Sequence, residues 1–266
     1  MMEKRKITLR IGRNTLSFAK YDTTGAAQPV VYEPYVVKAG IAMAVNLREA
    51  FKDDRLGVAE TNYADVLLDT PQMLIPIEQF EEEDVRTLFD HAFTAGQDQR
   101  IVRYNVLPDL KAVCLFAVNK DLNSVISDQF EHVQYIQAMT PVWRHCHQRS
   151  FTGYRNKLYG YFHGKQLDLF SFQKNRFKYS NSFKAARAHD ALYFLLYVWK
   201  QLHLENEHDE LHIMGDIPEQ AWLMQELKRY LQNVYIINPA ADFQEAPVTA
   251  IADMPYDLMT LLAKGR

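Results

Sequence analysis

Residues 157–183 read KLYGYFHGKQLDLFSFQKNRFKYSNSF. Apolar and polar residues alternate through three runs, Lys157–Phe162, Gln166–Phe172 and Arg176–Phe183. The runs are separated by His163-Gly164-Lys165 and Gln173-Lys174-Asn175. Alternation with a period of two marks strands, and Gly or Asn between such runs marks tight turns. The stretch therefore predicts a three-strand meander. The same pattern opens the chain between Lys6 and Val37. Ile7, Leu9 and Ile11 alternate with polar neighbours, Gly12-Arg13-Asn14 turns, and Leu16 and Phe18 continue the alternation. Thr23-Thr24-Gly25 marks a second turn, and Val30–Val37 a third strand that Pro34 places at an edge or a bulge.

Each meander is followed by alternating helices and strands. In the first half these are a helix at Met43–Phe51, strands at Ala64–Leu68 and Met73–Ile77, and a helix from Glu81 through Phe93. The acidic run Glu81-Glu82-Glu83-Asp84 suits the positive N-terminus of that helix. Paired strands at Ile101–Val106 and Lys111–Val118, a helix at Asp121–Phe130, a strand at Val133–Ala138 and a short helix at Pro141–Cys146 follow. The second half continues with a helix at Ala188–Leu202, a strand at Leu211–Met214, a helix at Pro218–Leu231, a strand at Val234–Ile237 and a helix at Tyr256–Ala263. The polar stretch Arg149–Arg155 divides the patterns into residues 1–150 and 151–266, with residues 97–140 reading as a small inserted α+β subdomain. An α/β architecture of two like lobes is expected.

Composition narrows the function classes. A net charge of −3 does not favour DNA, which rewards dense Lys/Arg patches. Two cysteines, Cys114 and Cys146, are too few for a disulfide framework and fit a reducing, cytoplasmic compartment. The basic start of the chain lacks the apolar core of a signal peptide, and Ala191–Trp199 is too short to cross a bilayer, so any membrane contact is expected through a partner.

The doubled meander resembles the actin-like ATPase (ribonuclease H-like) fold, and Asp121–Trp143 resembles the insertion of that superfamily's pilus-assembly branch. The chain as a whole resembles a bacterial family of unknown function in the actin-like superfamily. The resemblance implies a nucleotide cleft between the lobes, with an acid and a glycine on each phosphate hairpin and a Gly-Gly pair on the adenosine side. Carried onto this chain, those positions are Arg10 to Asn14, Phe162 to Lys165, and Gly215-Asp216. Gly12, Gly164 and Gly215 are kept. Arg10 and Phe162 stand where the acids belong, and Asp216 where the second glycine belongs. The degenerate cleft would then be lined by Gly12, Arg13, Gly164, Lys165, Gly215 and Asp216. Without the metal-positioning acids, magnesium-dependent phosphoryl transfer loses its main support. The expectation is a non-catalytic binding or assembly module with no ATP or magnesium. The alternatives are a divergent nucleotide-dependent ATPase or kinase-like enzyme rewired through Asp168 and Asp216, and a cytoplasmic adaptor of a membrane assembly complex.

Other clusters have simpler readings. His145-Cys146-His147 with Cys114 matches no standard zinc spacing. His203, His208 and His212 sit among Glu205, Glu207, Asp209 and Glu210 in what reads as a solvated helix-to-strand loop, and His189-Asp190 as an ordinary helix start. Arg10, Arg13, Lys20, Lys165, Lys174, Arg176 and Lys178 read as outward hairpin residues or, if convergent, as an anion cradle. In the strand from Gln166, Phe170 and Phe172 share one face while Leu167 and Leu169 share the other. Two apolar faces imply either full coverage or an exposed patch for a protein partner, centred on Phe170 and Phe172.

Overall fold

The computed structural model describes residues 6–21, 30–53, 58 and 61–264. The expected Thr23-Thr24-Gly25 turn lies outside them. The first meander is β1 (Ile7–Ile11), β2 (Leu16–Tyr21) and β3 (Val30–Tyr35), all antiparallel. Next come α1 (Met43–Ala50), β4 (Tyr63–Leu68), β5 (Gln72–Pro76), α2 (Val85–Ala92), β6 (Arg100–Leu107) and β7 (Ala112–Asn119). The first half closes with α3 (Lys120–Gln129), β8 (His132–Gln137) and α4 (Met139–Ser150). The second half runs β9 (Lys157–His163), β10 (Gln166–Gln173), β11 (Arg176–Lys184), α5 (Ala188–Gln201), β12 (Glu210–Gly215), α6 (Gln220–Leu227), β13 (Asn233–Ile236), α7 (Pro239–Asp242) and α8 (Tyr256–Lys264).

Two five-stranded sheets carry the same layout, β3-β2-β1-β4-β8 and β11-β10-β9-β12-β13. In each, a meander supplies three antiparallel strands, and two further strands join parallel to the first strand of that meander. Strands buried on both faces read as continuous apolar runs, and Lys157–His163 is buried at every position. On one face of the second sheet, Leu158, Leu167 and Leu169 pack under the apolar stripe of α5. The equivalent face of the first sheet packs on α1 and α3 through Leu9, Leu47, Leu122 and Ile126.

The inserted unit differs from the expected one. A separate three-stranded sheet, β5-β7-β6, occupies the chain between β4 and α3. The strand expected at Val133–Ala138 is β8, which pairs in parallel with β4 along Tyr63↔His132 to Leu68↔Gln137, and α3 lies in the core of the first sheet. Both therefore belong to the first lobe, and the insertion begins with β5 rather than near residue 97. Locally β8 looks like any short strand, and only its long-range partner assigns it. α2 covers one face of the inserted sheet through Val85 and Phe89. Leu107 and Cys114 on the other face meet α4.

The remaining face of each main sheet is covered by a helix from the opposite half of the chain. α4 brings Met139, Val142, Trp143 and Cys146 onto Tyr159, Tyr161 and Phe170 of the second sheet. α8 brings Leu258, Met259 and Leu262 onto Ala19, Leu67 and Ile136 of the first. The division at residue 150 is thus crossed in both directions by packing. α4 itself runs for 12 residues, longer than the short helix expected at Pro141–Cys146.

This coverage corrects the surface expected around Phe170 and Phe172. Phe170 is 0% exposed and stacks on Tyr159 at 5.5 Å. Phe172 is half-buried and lies 5.1 Å from both His147 and Phe177. Both rings face α4, so they form core rather than an open patch. Deleting a large core ring costs ~3–5 kcal/mol. Because Trp143 belongs to one half and packs on the other, Trp143→Ala should lower stability by about that much in a single transition. Urea unfolding followed by fluorescence and by circular dichroism tests this. Two separated transitions in the wild-type protein would contradict the crosswise packing.

Candidate functional site

The tips of the two first hairpins face each other between the sheets, and the side chains that meet there are charged and buried. Arg10, near the end of β1, is 4% exposed. Its Nε donates to Asp257 Oδ1 and its Nη2 to Asp257 Oδ2, both at 2.7 Å. Asp257 is fully buried in the first turn of α8, where the helix N-terminus also favours its charge. The fork-to-fork geometry is the strong form of an arginine–carboxylate pair. Arg10 also donates to Thr15 Oγ1 at 3.2 Å and to Asp69 Oδ2 at 3.3 Å.

Asp69 follows β4 and connects to the second lobe. Its Oδ2 lies 3.0 Å from His163 Nδ1. His163 Nε2 makes a second contact, with Asp168 on β10. Tyr161 stacks on the His163 ring at 4.7 Å. Asp168 then accepts from Gln72 Nε2 at 3.2 Å, and Gln72 Oε1 accepts from buried Gln137 at 3.1 Å. The result is a continuous polar chain through α8, β1, the end of β4, β9, β10, β5 and β8. It ties both main sheets and the insertion together.

The electrostatics follow from this pairing. Burial pulls the His163 pKa down, but hydrogen bonds and charge from Asp168 and Asp69 outweigh it and lift the value to about 10. His163 is a cation at neutral pH. Burial opposes the Asp69 charge, yet His163 and Arg10 hold its pKa below the usual carboxylate range. Burial likewise works against the Arg10 charge, and Asp257 more than compensates, leaving the pKa well above its ordinary value.

Glycines permit this geometry at two points. A Cβ on Gly12 would lie 2.4 Å from Thr15 Oγ1 and 3.4 Å from Asp69 Oδ2, inside the contacts around Arg10. Gly215 has φ +88°, and a Cβ there would lie 2.1 Å from the Phe162 carbonyl oxygen. The glycine kept from the Gly-Gly pair therefore serves close strand approach, and the Asp216 backbone N–H donates to that same carbonyl at 2.9 Å.

The six expected cleft residues do not form one set. Arg13, Gly164 and Lys165 line a groove of about 1220 Å³ between the hairpins, β5 and β11. Gly12 lies behind it against Arg10, and Gly215 and Asp216 do not line it. Asp168 faces the cleft in the register of a simple two-residue hairpin. Phe162 turns to the α5 face instead. Asp69, His163 and Asp257 were missed as site residues. Asp69 reads as the end of a strand, His163 as part of a turn, and Asp257 as an ordinary acid in a first helical turn. An arginine in the middle of an apolar strand was the one available signal, since a buried cation requires a buried anion.

The other clusters serve structure. His145 Nε2 lies 2.7 Å from buried Asp242, which also accepts from Tyr256 at 2.5 Å and pairs with Arg149. His147 contacts the Lys174 carbonyl at 3.0 Å. His212 is buried within β12 rather than in a solvated loop, 2.9 Å from Glu210 and stacked between Tyr159 and Tyr235. His189 stacks on Trp222 at 4.2 Å.

The donor set at the hairpins does not fit a magnesium-bound nucleotide. A hard divalent cation needs free oxygen ligands. Here the corresponding space holds a guanidinium and an imidazolium, and each nearby carboxylate is already shared with one of them.

Known structures share the architecture. A Bacteroides thetaiotaomicron protein with actin-like ATPase fold and unknown function superposes with a TM-score of 0.80 at 27% identity, covering 93% of this chain and 96% of that one. The PilM–PilN type IV pilus biogenesis complex contains a chain that superposes with a TM-score of 0.56 at 12% identity, covering 97% and 96%. The fold is the actin-like ATPase fold. No functionally curated protein matches the sequence. Residues 2–234 match the model of the family described as "Protein of unknown function (DUF3822)", and the chain belongs to that family.

Proposed function

We propose that this protein is a non-catalytic actin-like module that works in the cytoplasm by binding a protein partner. One observation carries the reading. Where the resemblance places a metal-positioning acid, the guanidinium of Arg10 is held bidentate by the fully buried Asp257. A magnesium ion brought to this position meets two cations, and displacing Arg10 would strand Asp257 without a counter-charge. Breaking one partner out of a buried pair costs ~3–5 kcal/mol, which opposes the exchange.

The enzyme alternative relies on Asp168 and Asp216. Asp168 is committed to His163 and Gln72, while Asp216 is exposed and lies off the groove. Neither carboxylate is placed to hold a metal over the hairpins. The adaptor reading draws on the presence of this fold in the PilM–PilN type IV pilus biogenesis complex. Among the described residues no helix is long and apolar enough to cross a membrane. A membrane complex would therefore be reached through a partner or through residues outside those described.

Calorimetric titration with ATP, with and without magnesium, tests the central point. No binding heat is expected in either case, and magnesium-dependent phosphate release that is lost in Asp168→Asn would replace this reading with the enzyme one. A second measurement addresses the ionic lock. The folded pKa of His163 is raised to about 10 from an ordinary 6.5, so the stability it contributes is complete below about pH 6.5. That contribution declines as pH rises through about 10. The stability difference between wild type and His163→Gln should thus be on the order of a few kcal/mol at pH 6 and shrink towards pH 10. Urea midpoints across that range measure it, and a difference that does not vary with pH would show that His163 is not held as a cation.

A further inference from the structure

β5 and β11 are both edge strands, one of the inserted sheet and one of the second main sheet. The groove of about 1220 Å³ runs between them. Its two ends are tied. Gln72, at the start of β5, bonds Asp168, which sits opposite Ser182 of β11. Glu78, just past β5, pairs with Arg176 at the start of β11 at 2.5 Å. The two edges therefore run antiparallel past each other, pinned at both ends and open between. Small-ligand pockets span roughly 300–1,000 Å³, so the groove has the size of a site for a chain segment.

The lining has a definite chemistry. Three basic side chains, Arg13, Lys165 and Lys184, stand around it against two carboxylates, Asp69 and Asp168, while the Lys178 ammonium donates to the Leu202 carbonyl at 3.3 Å. Both carboxylates are already paired with His163, itself a cation at the groove wall. The side chains of Arg13, Lys165 and Lys184 are exposed and make no hydrogen bond or ion pair with any described residue. Ser180 and Ser182 lie opposite Phe170 and Asp168 on the cleft face of β11, where their small side chains leave room over the strand. An edge strand offers a row of unpaired backbone donors and acceptors, and an extended peptide can complete it by adding as one more strand.

We propose that this groove binds an extended, acidic segment of a protein partner, which pairs its backbone with the edge of β11 and sets its carboxylates among Arg13, Lys165 and Lys184. Backbone pairing supplies affinity that depends little on sequence, and the basic rim selects the charge. This rests on the non-catalytic binding reading and names the partner chemistry for the same cleft.

The test uses the full chain and three fluorescein-labelled peptides of about ten residues, long enough to span β11 at roughly 3.4 Å per residue. One alternates Glu with Val, one alternates Lys with Val, and one is the acidic peptide with a central proline. Fluorescence anisotropy should give the acidic peptide an affinity at least about tenfold above both others. The double variant Lys165→Glu, Lys184→Glu should lose about that factor while keeping the wild-type circular dichroism and melting temperature. Amide exchange across residues 176–184 should slow in the complex. Equal binding of acidic and basic peptides, no binding of the acidic one, or full affinity in the double variant would each overturn the proposal. ATP with magnesium is added as a competitor in the same assay. Failure of the peptide with no phosphate released from the added ATP removes this inference alone, whereas magnesium-dependent phosphate release removes the non-catalytic reading.

Discussion

A guanidinium with 4% exposure cannot stay in a protein interior alone, and Arg10 meets that constraint through Asp257, 247 positions away in the chain. The pair fixes more than two side chains. Asp257 stands in the first turn of α8, so bonding Arg10 sets α8 at a fixed position across the first sheet. Leu258 and Leu262 then fall on Leu67 and Ala19. The pair extends through Asp69 and His163 to the second sheet, and the hairpin tips are held at hydrogen-bonding distance. The cost of removing these charges from water is offset only while every member keeps its partner. An opening of the cleft would uncover charged groups one at a time, each without its counter-ion, so the polar chain favours a closed arrangement of the lobes.

The exchange of α4 and α8 between halves reinforces the same closure by different physics. Each helix covers the cleft-side face of the sheet to which its own half does not belong. Apolar burial there stabilises the contact between lobes, while the charged chain specifies its register. A second buried carboxylate, Asp242, secures the crossing, because it accepts from His145 of α4 and from Tyr256 of α8. Neither half can bury its own sheet on both faces, which makes the two lobes parts of a single cooperative unit.

These constraints separate the fold from the chemistry the fold carries elsewhere. The hairpins keep their glycines, but Gly12 makes room for Arg10 and Asp69, and Gly215 for the Phe162 carbonyl. Gly12 and Gly215 therefore have packing reasons that need no nucleotide. What remains open to solvent is the groove beside the lock, bounded by two strand edges and a basic rim.

The sequence alone determined the elements that depend on local periodicity. The two meanders, the apolar α5, the strands β9 and β12 and the final helix follow from alternation, turn residues and run length, which neighbouring residues settle among themselves. Duplication of the pattern was legible for the same reason, whereas the acids expected at Arg10 and Phe162 were only what the resemblance implied. Other features depended on which distant segments meet. β8 joined the first sheet rather than the insertion because its ladder is with β4, and Phe170 and Phe172 became core because α4 arrives from the other half. Asp69, His163 and Asp257 are unremarkable in their own stretches, and only their convergence on Arg10 and Asp168 makes them a site. Strand register and helix periodicity are short-range properties written in consecutive residues. Charge pairing and face coverage are long-range properties that exist only once the chain has closed on itself.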